Sequence, residues 1–194
     1  GTNGKTTTSF LTYQILNKLG IKCAYIGTIG FNKVEYAGRE FDFLALNCND
    51  VILKDKAVRQ ALGYAIDKDA IVSSVYNNQK FVSQYPLDYG NYLYTAENVS
   101  SGYNAEQAKK VLEDGGWTYR NGCWKKEIDG SYRTLRLKIA VNKDQEGRLQ
   151  ASEKIKEQLK DIGIEVTINK ITNDQYSKYI SNKDYQILYT GVYN

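Results

Sequence analysis

Apolar side chains recur along this chain at two spacings, one helical and one alternating, and the switches between them predict its elements. Over residues 5–19, Phe10, Leu11, Ile15, Leu16 and Leu19 share one side of a helix, with Gly20 as its C-terminal stop. Residues 22–26 read as a short buried strand, and Gly27 and Gly30 loosen the backbone after it. Residues 40–46 read as a strand and 47–54 as a loop. Asp55 is placed to cap a helix over 56–66, whose Val58, Ala61, Leu62, Ala65 and Ile66 form an apolar face. Asp67 caps a second short helix running through Val75, and Asn104 caps a helix over 105–114.

The C-terminal half alternates more regularly. Residues 117–120 and 123–127 flank Asn121-Gly122, a strong two-residue hairpin signal. A strand over 135–141 puts Leu135, Leu137, Ile139 and Val141 on one face. The next helix ends at Asp161 with Leu149, Ile155, Leu159 and Ile162 in register, and Gly163 closes it. Residues 164–171 alternate as a strand, 172–181 form a short helix, and 185–189 a final strand. Strand, long helix, strand, short helix, strand is a right-handed α/β crossover pattern, so the expected class is α/β. Residues 76–103 show no period, are rich in Asn, Tyr, Gly and Ser, and hold the one proline, Pro86. So long a connection is functional or packs as a surface excursion.

Composition narrows the chemistry. The chain has no His, so the commonest general base and zinc ligand are missing, and no Met, which points to a processed, excised or recombined chain. Net charge is +4, unevenly spread: residues 1–34 hold Lys5, Lys18, Lys22 and Lys33 and no acid, leaving 22 basic and 22 acidic side chains in the remainder. That shift marks a seam between residues 27 and 39. Four spread lysines make no phosphate-tracking stripe, so nucleic acid is not an expected partner. Cys23, Cys48 and Cys123 have no metal-binding spacing and read as buried free thiols. No apolar run is long enough to span a membrane. Trp117, Tyr119 and Trp124 suit either an aromatic platform or, more simply, cross-strand packing. The charges at Glu153, Lys154, Lys156, Glu157 and Lys160 read as a solvated helix face.

Two stretches resemble known families. Phe41-Asp-Phe-Leu-Ala-Leu-Asn47 followed by Asp55-Lys-Ala-Val-Arg-Gln-Ala-Leu-Gly-Tyr-Ala-Ile-Asp-Lys-Asp-Ala-Ile71 is similar to a block of the family 5 extracellular solute-binding proteins. Tyr103-Asn-Ala-Glu-Gln-Ala-Lys-Lys-Val-Leu-Glu-Asp-Gly-Gly-Trp117 resembles a second block. The strand over 135–141 with the helix ending Gln-Leu-Lys-Asp-Ile-Gly-Ile164 resembles a third. The resemblance implies a mixed-sheet α/β lobe of a periplasmic-binding-protein-like fold over residues 35–194, one of two lobes that enclose a ligand. It further implies a non-enzymatic binding protein, extracellular and membrane-anchored in its parent, that delivers peptides to an ABC permease. By position Thr190, Gly191, Val192, Tyr193 and Asn194, on a turn after the last strand, would line the cleft, joined by Tyr85, Asp88, Tyr89 and Tyr92. The family's aromatic-plus-Asp signature is not intact there.

Gly1-Thr-Asn-Gly-Lys-Thr-Thr7 and Gly27-Thr-Ile-Gly30 resemble the nucleotide-binding start of the Mur ligases, of the UDP-MurNAc-tripeptide synthetase type, making residues 1–34 a loop-helix-strand segment of separate origin. In that alternative Thr2, Asn3, Gly4, Lys5, Thr6 and Thr7 would cradle ATP phosphates, with Mg²⁺ on Thr6, in a cytoplasmic enzyme. Without it, no cofactor is expected. A chimeric scaffold with no tight ligand is the third reading.

Overall fold

The structure, a computed structural model, describes residues 24–27, 30–33, 40–80, 82 and 102–193. The chain divides into two compact units, Gly1–Gly38 and Arg39–Asn194. In the first unit β1 (Ala24–Gly27) and β2 (Gly30–Lys33) pair antiparallel, with Gly27 opposite Gly30. The expected helix over 5–19 lies outside the described residues.

The second unit contains a mixed four-stranded sheet in the order β3-β9-β7-β8, made of β3 (Glu40–Leu46), β7 (Arg136–Asn142), β8 (Glu165–Ile171) and β9 (Ile187–Tyr193). β7 runs parallel to both β8 and β9, and β3 runs antiparallel to β9. One face receives the main core. Leu137, Ile139 and Val141 of β7 and Ile187 and Tyr189 of β9 pack there with α1 (Lys56–Ala65), α2 (Lys68–Tyr76), α3 (Ala105–Asp114) and α4 (Glu146–Asp161). The opposite face holds a smaller cluster, Ala140, Ile171 and Leu188, against Tyr176 and Tyr179 of α5 (Asn173–Asn182). This is the mixed-sheet α/β lobe expected from the sequence.

Local chemistry explains most element boundaries. Asp55, Asp67 and Asn104 accept backbone N–H bonds from Ala57, Ala70 and Gln107, filling the orphan donors at three helix starts. Thr172 and Gln175 form a reciprocal capping box on α5. Asn121 and Gly122 both adopt positive φ, 53° and 79°, joining β4 (Thr118–Arg120) to β5 (Cys123–Ile128). A second hairpin, through Asp129 and Gly130 to β6 (Ser131–Thr134), uses the same device and is absent from the sequence reading.

Of four expectations, two need correction and two hold. The last strand continues to Tyr193 instead of stopping at Tyr189, because pairing with β3 carries it on through Glu40↔Tyr193. The alternation of β8 is kept to its end: Val166 and Ile168 face the main core, and Ile171, an odd number of residues on, reaches the opposite cluster. Cys48 is an exposed free thiol and Cys123 a half-buried one, each on a turn or strand edge where the core does not reach. Trp117 and Trp124 are buried, and Tyr119 packs across the strands on Trp124, which is the simpler packing reading: the indole N–H groups donate to Asp55 Oδ2 at 3.0 Å and to the Ile162 carbonyl at 2.7 Å.

Asp55 does more than cap a helix. Its Oδ2 also accepts from Lys126 Nζ at 2.7 Å, so one carboxylate joins α1 to the hairpin. Burial alone would raise the Asp55 carboxyl, but the bonds from Lys126, the Ala57 N–H and Trp117 outweigh it and hold it below the ordinary Asp value of 3.8. A depressed carboxyl contributes stability that is present above the unfolded value and is lost as pH falls through the folded one. Asp55→Ala should therefore cost about 1–3 kcal/mol in urea unfolding at pH 7. Its difference from the unaltered chain should shrink as pH falls below 3.8, because the unaltered chain then protonates Asp55 and loses the charge that the variant never had. In the core, Ile139→Ala should cost about 2–5 kcal/mol by the same measurement, since this side chain has no solvent exposure and leaves a cavity.

Candidate functional site

The carboxyl ends of β7 and β9 lie where α4 begins, the place at which an α/β sheet opens toward a ligand. Pairing between β7 and β9 ends at Val141↔Tyr189. Beyond it, Thr190 to Tyr193 keep β3 as their registered partner, opposite Phe43, Asp42, Phe41 and Glu40. The last turn of the sheet is thus a two-stranded ribbon.

Its main-core face carries charge. Asp42 stands opposite Gly191, and its Oδ1 accepts from Arg148 Nε in the first turn of α4 at 2.8 Å. Lys80, just beyond α2, donates to Oδ2 of the same carboxylate. Asp42 and Arg148 are 10% and 12% exposed, so this pair is largely withdrawn from water. Gly191 makes it possible: a Cβ there would lie 2.4 Å from Arg148 Nη2 and 2.6 Å from Asp42 Oδ1. Two residues earlier, the Tyr189 hydroxyl lies 3.5 Å from that of Tyr76, whose ring supports Lys80 Nζ at 4.7 Å from its centroid. Burial first, then the Tyr76 bond and the nearby Asp42 charge, push the Tyr189 phenol well above its ordinary value, so it stays neutral.

The other face is less polar. Phe41 and Phe43 stack with centroids 5.6 Å apart, and Val192 opposite Phe41 is exposed. Thr190 is buried, its hydroxyl bonded to Tyr176 of α5. Asn142 at the end of β7 donates to Asn173 in the first turn of α5. Among the described residues no group of three or more Cys, Asp or Glu could hold a metal ion.

Of the positions singled out in the sequence, Thr190, Gly191, Val192 and Tyr193 come together here, but on a paired strand and not on a turn. The long pairing with β3 is the reason. Thr190 faces α5, and Gly191 is covered by the guanidinium. Asn194, Tyr85, Asp88, Tyr89 and Tyr92 lie outside the described residues, as do Thr2, Asn3, Gly4, Lys5, Thr6 and Thr7. Asp42, Tyr76, Lys80, Arg148 and Tyr189 were missed. The available signal was Asp42 itself, an acid inside an apolar strand on its inward-facing parity, together with a glycine within β9.

Comparison with known proteins gives these features a setting. A family model described as bacterial extracellular solute-binding proteins, family 5 Middle, matches residues 13–194. The oligopeptide-binding protein AppA of Bacillus subtilis is 31% identical over 168 residues, covering 85% of this chain and 27% of that protein. The structure of B. subtilis AppA in complex with a nonapeptide superposes with a TM-score of 0.72 at 26% identity, covering 81% of this chain and 32% of that one. NikA from Brucella suis in complex with Fe(III)-EDTA shares the fold, with a TM-score of 0.69 at 20% identity, over 93% of this chain and 34% of that one. The chain therefore spans about a third or less of the length of these relatives. The family match begins inside the segment likened to a Mur ligase, and these relatives lend the nucleotide-binding reading no support.

The packing of Arg148 over Gly191 has a direct consequence. Gly191→Ala should destabilise the chain by about 1–3 kcal/mol in urea unfolding, because the new methyl must displace the guanidinium or the Asp42 carboxylate. An unchanged midpoint would mean that Arg148 leaves this seat at no cost.

Proposed function

The chain belongs to the bacterial extracellular solute-binding proteins of family 5, and on that premise we propose that it supplies one wall of a peptide-binding cleft. The observation that carries this reading is the resemblance to an oligopeptide-binding protein across 85% of the chain. The carboxyl ends of β7 and β9, beside the start of α4, are where an open α/β sheet takes a ligand. The chemistry is binding without catalysis: backbone groups at the sheet end hold an extended peptide, and adjoining pockets accept its side chains.

In this reading the ligand-facing residues are Thr190, Gly191, Val192, Tyr193 and Asn194 at the end of β9, with Tyr85, Asp88 and Tyr89 from the long connection. The backbone of the strand residues, more than the Thr190 hydroxyl, makes the contact, since that hydroxyl is bonded to Tyr176. The parent protein works outside the cell, anchored at the membrane, and docks on an ABC permease. No helix among the described residues is long and apolar enough to cross a membrane. No cofactor takes part. Metal capture by this chain's own side chains would lack both imidazole and thioether ligands, which favours a peptide over a metal ion.

One wall offers part of the contact surface, so binding by this chain alone is weak. The test is the thermal shift of the chain with a pool of short peptides and, separately, with Mg-ATP. Peptides should raise the melting temperature, corresponding to about 2.7 kcal/mol once free peptide reaches a hundredfold its Kd. Mg-ATP should not. A shift with Mg-ATP that Lys5→Ala removes, with none from peptides, would overturn the reading.

A further inference from the structure

We infer that Arg148 and Asp42 are positioning residues for the ligand-facing end of β9, with Gly191 as the seat that admits them. The ligand half of this inference rests on the peptide-binding reading above; the positioning half rests on geometry alone.

The end of β9 has less support than its start. Up to Tyr189, β9 has a registered strand on each side. From Thr190 to Tyr193 its registered partner is β3, which is itself an edge strand of the described sheet. A two-stranded ribbon is marginal without packing from another element. Two side chains supply that packing from opposite faces. Tyr176 of α5 bonds Thr190 on one face. On the other, Arg148 reaches from α4 across Gly191 to Asp42 on the far strand. The guanidinium therefore ties both strands of the ribbon to the longest described helix.

Placement makes this more than a generic ion pair. Gly191 immediately precedes Val192 and Tyr193, two of the proposed ligand-facing positions. Asp42 also takes Lys80, which in sequence leads into the stretch holding Tyr85, Asp88 and Tyr89. One carboxylate thus gathers the ribbon, α4 and the start of the long connection. A fork-shaped cation packed against a glycine fixes position in a way a single-point ammonium does not. Its low exposure means that water offers little competition for the bond.

The test combines hydrogen exchange with peptide affinity, using a nonapeptide as probe, on Arg148→Met, Arg148→Lys and the neutral pair Asp42→Asn/Arg148→Met. A lone Arg148→Met leaves the Asp42 carboxylate with Lys80 as its remaining cation and is expected to lower the melting temperature; the double variant removes both charges, leaves the part-exposed Lys80 to turn to water, and keeps the melting temperature near that of the unaltered chain. In both, exchange at Thr190 to Tyr193 should rise about tenfold relative to Ile187 to Tyr189. Peptide affinity should fall by a similar factor in the neutral pair, with its melting temperature preserved, and Arg148→Lys should recover part of it. Unchanged exchange at Thr190 to Tyr193 in the neutral pair overturns the positioning role. Raised exchange with unchanged affinity overturns its bearing on the ligand. An unaltered chain that binds no peptide overturns the peptide reading and the ligand half with it, and the exchange arm still decides the positioning half.

Discussion

β9 is the strand on which the rest of this lobe depends. It lies between an antiparallel neighbour and a parallel one, and both its faces are covered. Ile187 and Tyr189 meet the main core, and Leu188 and Thr190 meet the layer under α5; all four are at most 7% exposed. A period of two then dictates the site. The parity that buries Ile187 and Tyr189 brings Gly191 beneath α4, where the missing side chain leaves room for an arginine. One alternation therefore builds the core at one end of the strand and the charged ribbon at the other.

That dependence shows why some features were legible in the sequence and others were not. Caps and two-residue turns are local chemistry, so Asp55, Asp67, Asn104 and Asn121-Gly122 could be read within a few residues of where they act. The inward face of β7 was legible because Leu135, Leu137, Ile139 and Val141 alternate and are all buried. The end of β9 was not. Thr190-Gly191 looks like a turn after an apolar run, and only pairing with a strand near the start of the unit makes it sheet. Parity along β8 gives the face of Ile171, but its burial comes from α5, which no local pattern places against it. Asp42 and Arg148 are 106 residues apart, beyond any local pattern. Asp129-Gly130 was legible and overlooked, as it carries the same turn chemistry as the hairpin before it.

The site joins two kinds of surface. One side of the ribbon is a buried carboxylate with two cations and a neutral phenol. The other is apolar, with stacked Phe41 and Phe43 beside Val192. Backbone at the end of such a ribbon, held by charge from one side and backed by apolar side chains on the other, suits an extended chain of varied composition. Its hydrogen bonds do not depend on ligand sequence. This fits a binding lobe better than a catalytic pocket. The hairpin bearing Trp117 and Trp124 is tied to α1 through Asp55 and to the end of α4 through Ile162, and it serves the scaffold.

The most direct test of a peptide cleft at the sheet's carboxyl edge is a backbone amide chemical-shift map of the chain titrated with a nonapeptide. Saturable shifts should concentrate at Phe41 to Phe43 and at Thr190 to Tyr193, with the hairpin around Asn121 unmoved. Shifts centred on that hairpin, or spread evenly without saturation, would contradict the placement of the cleft.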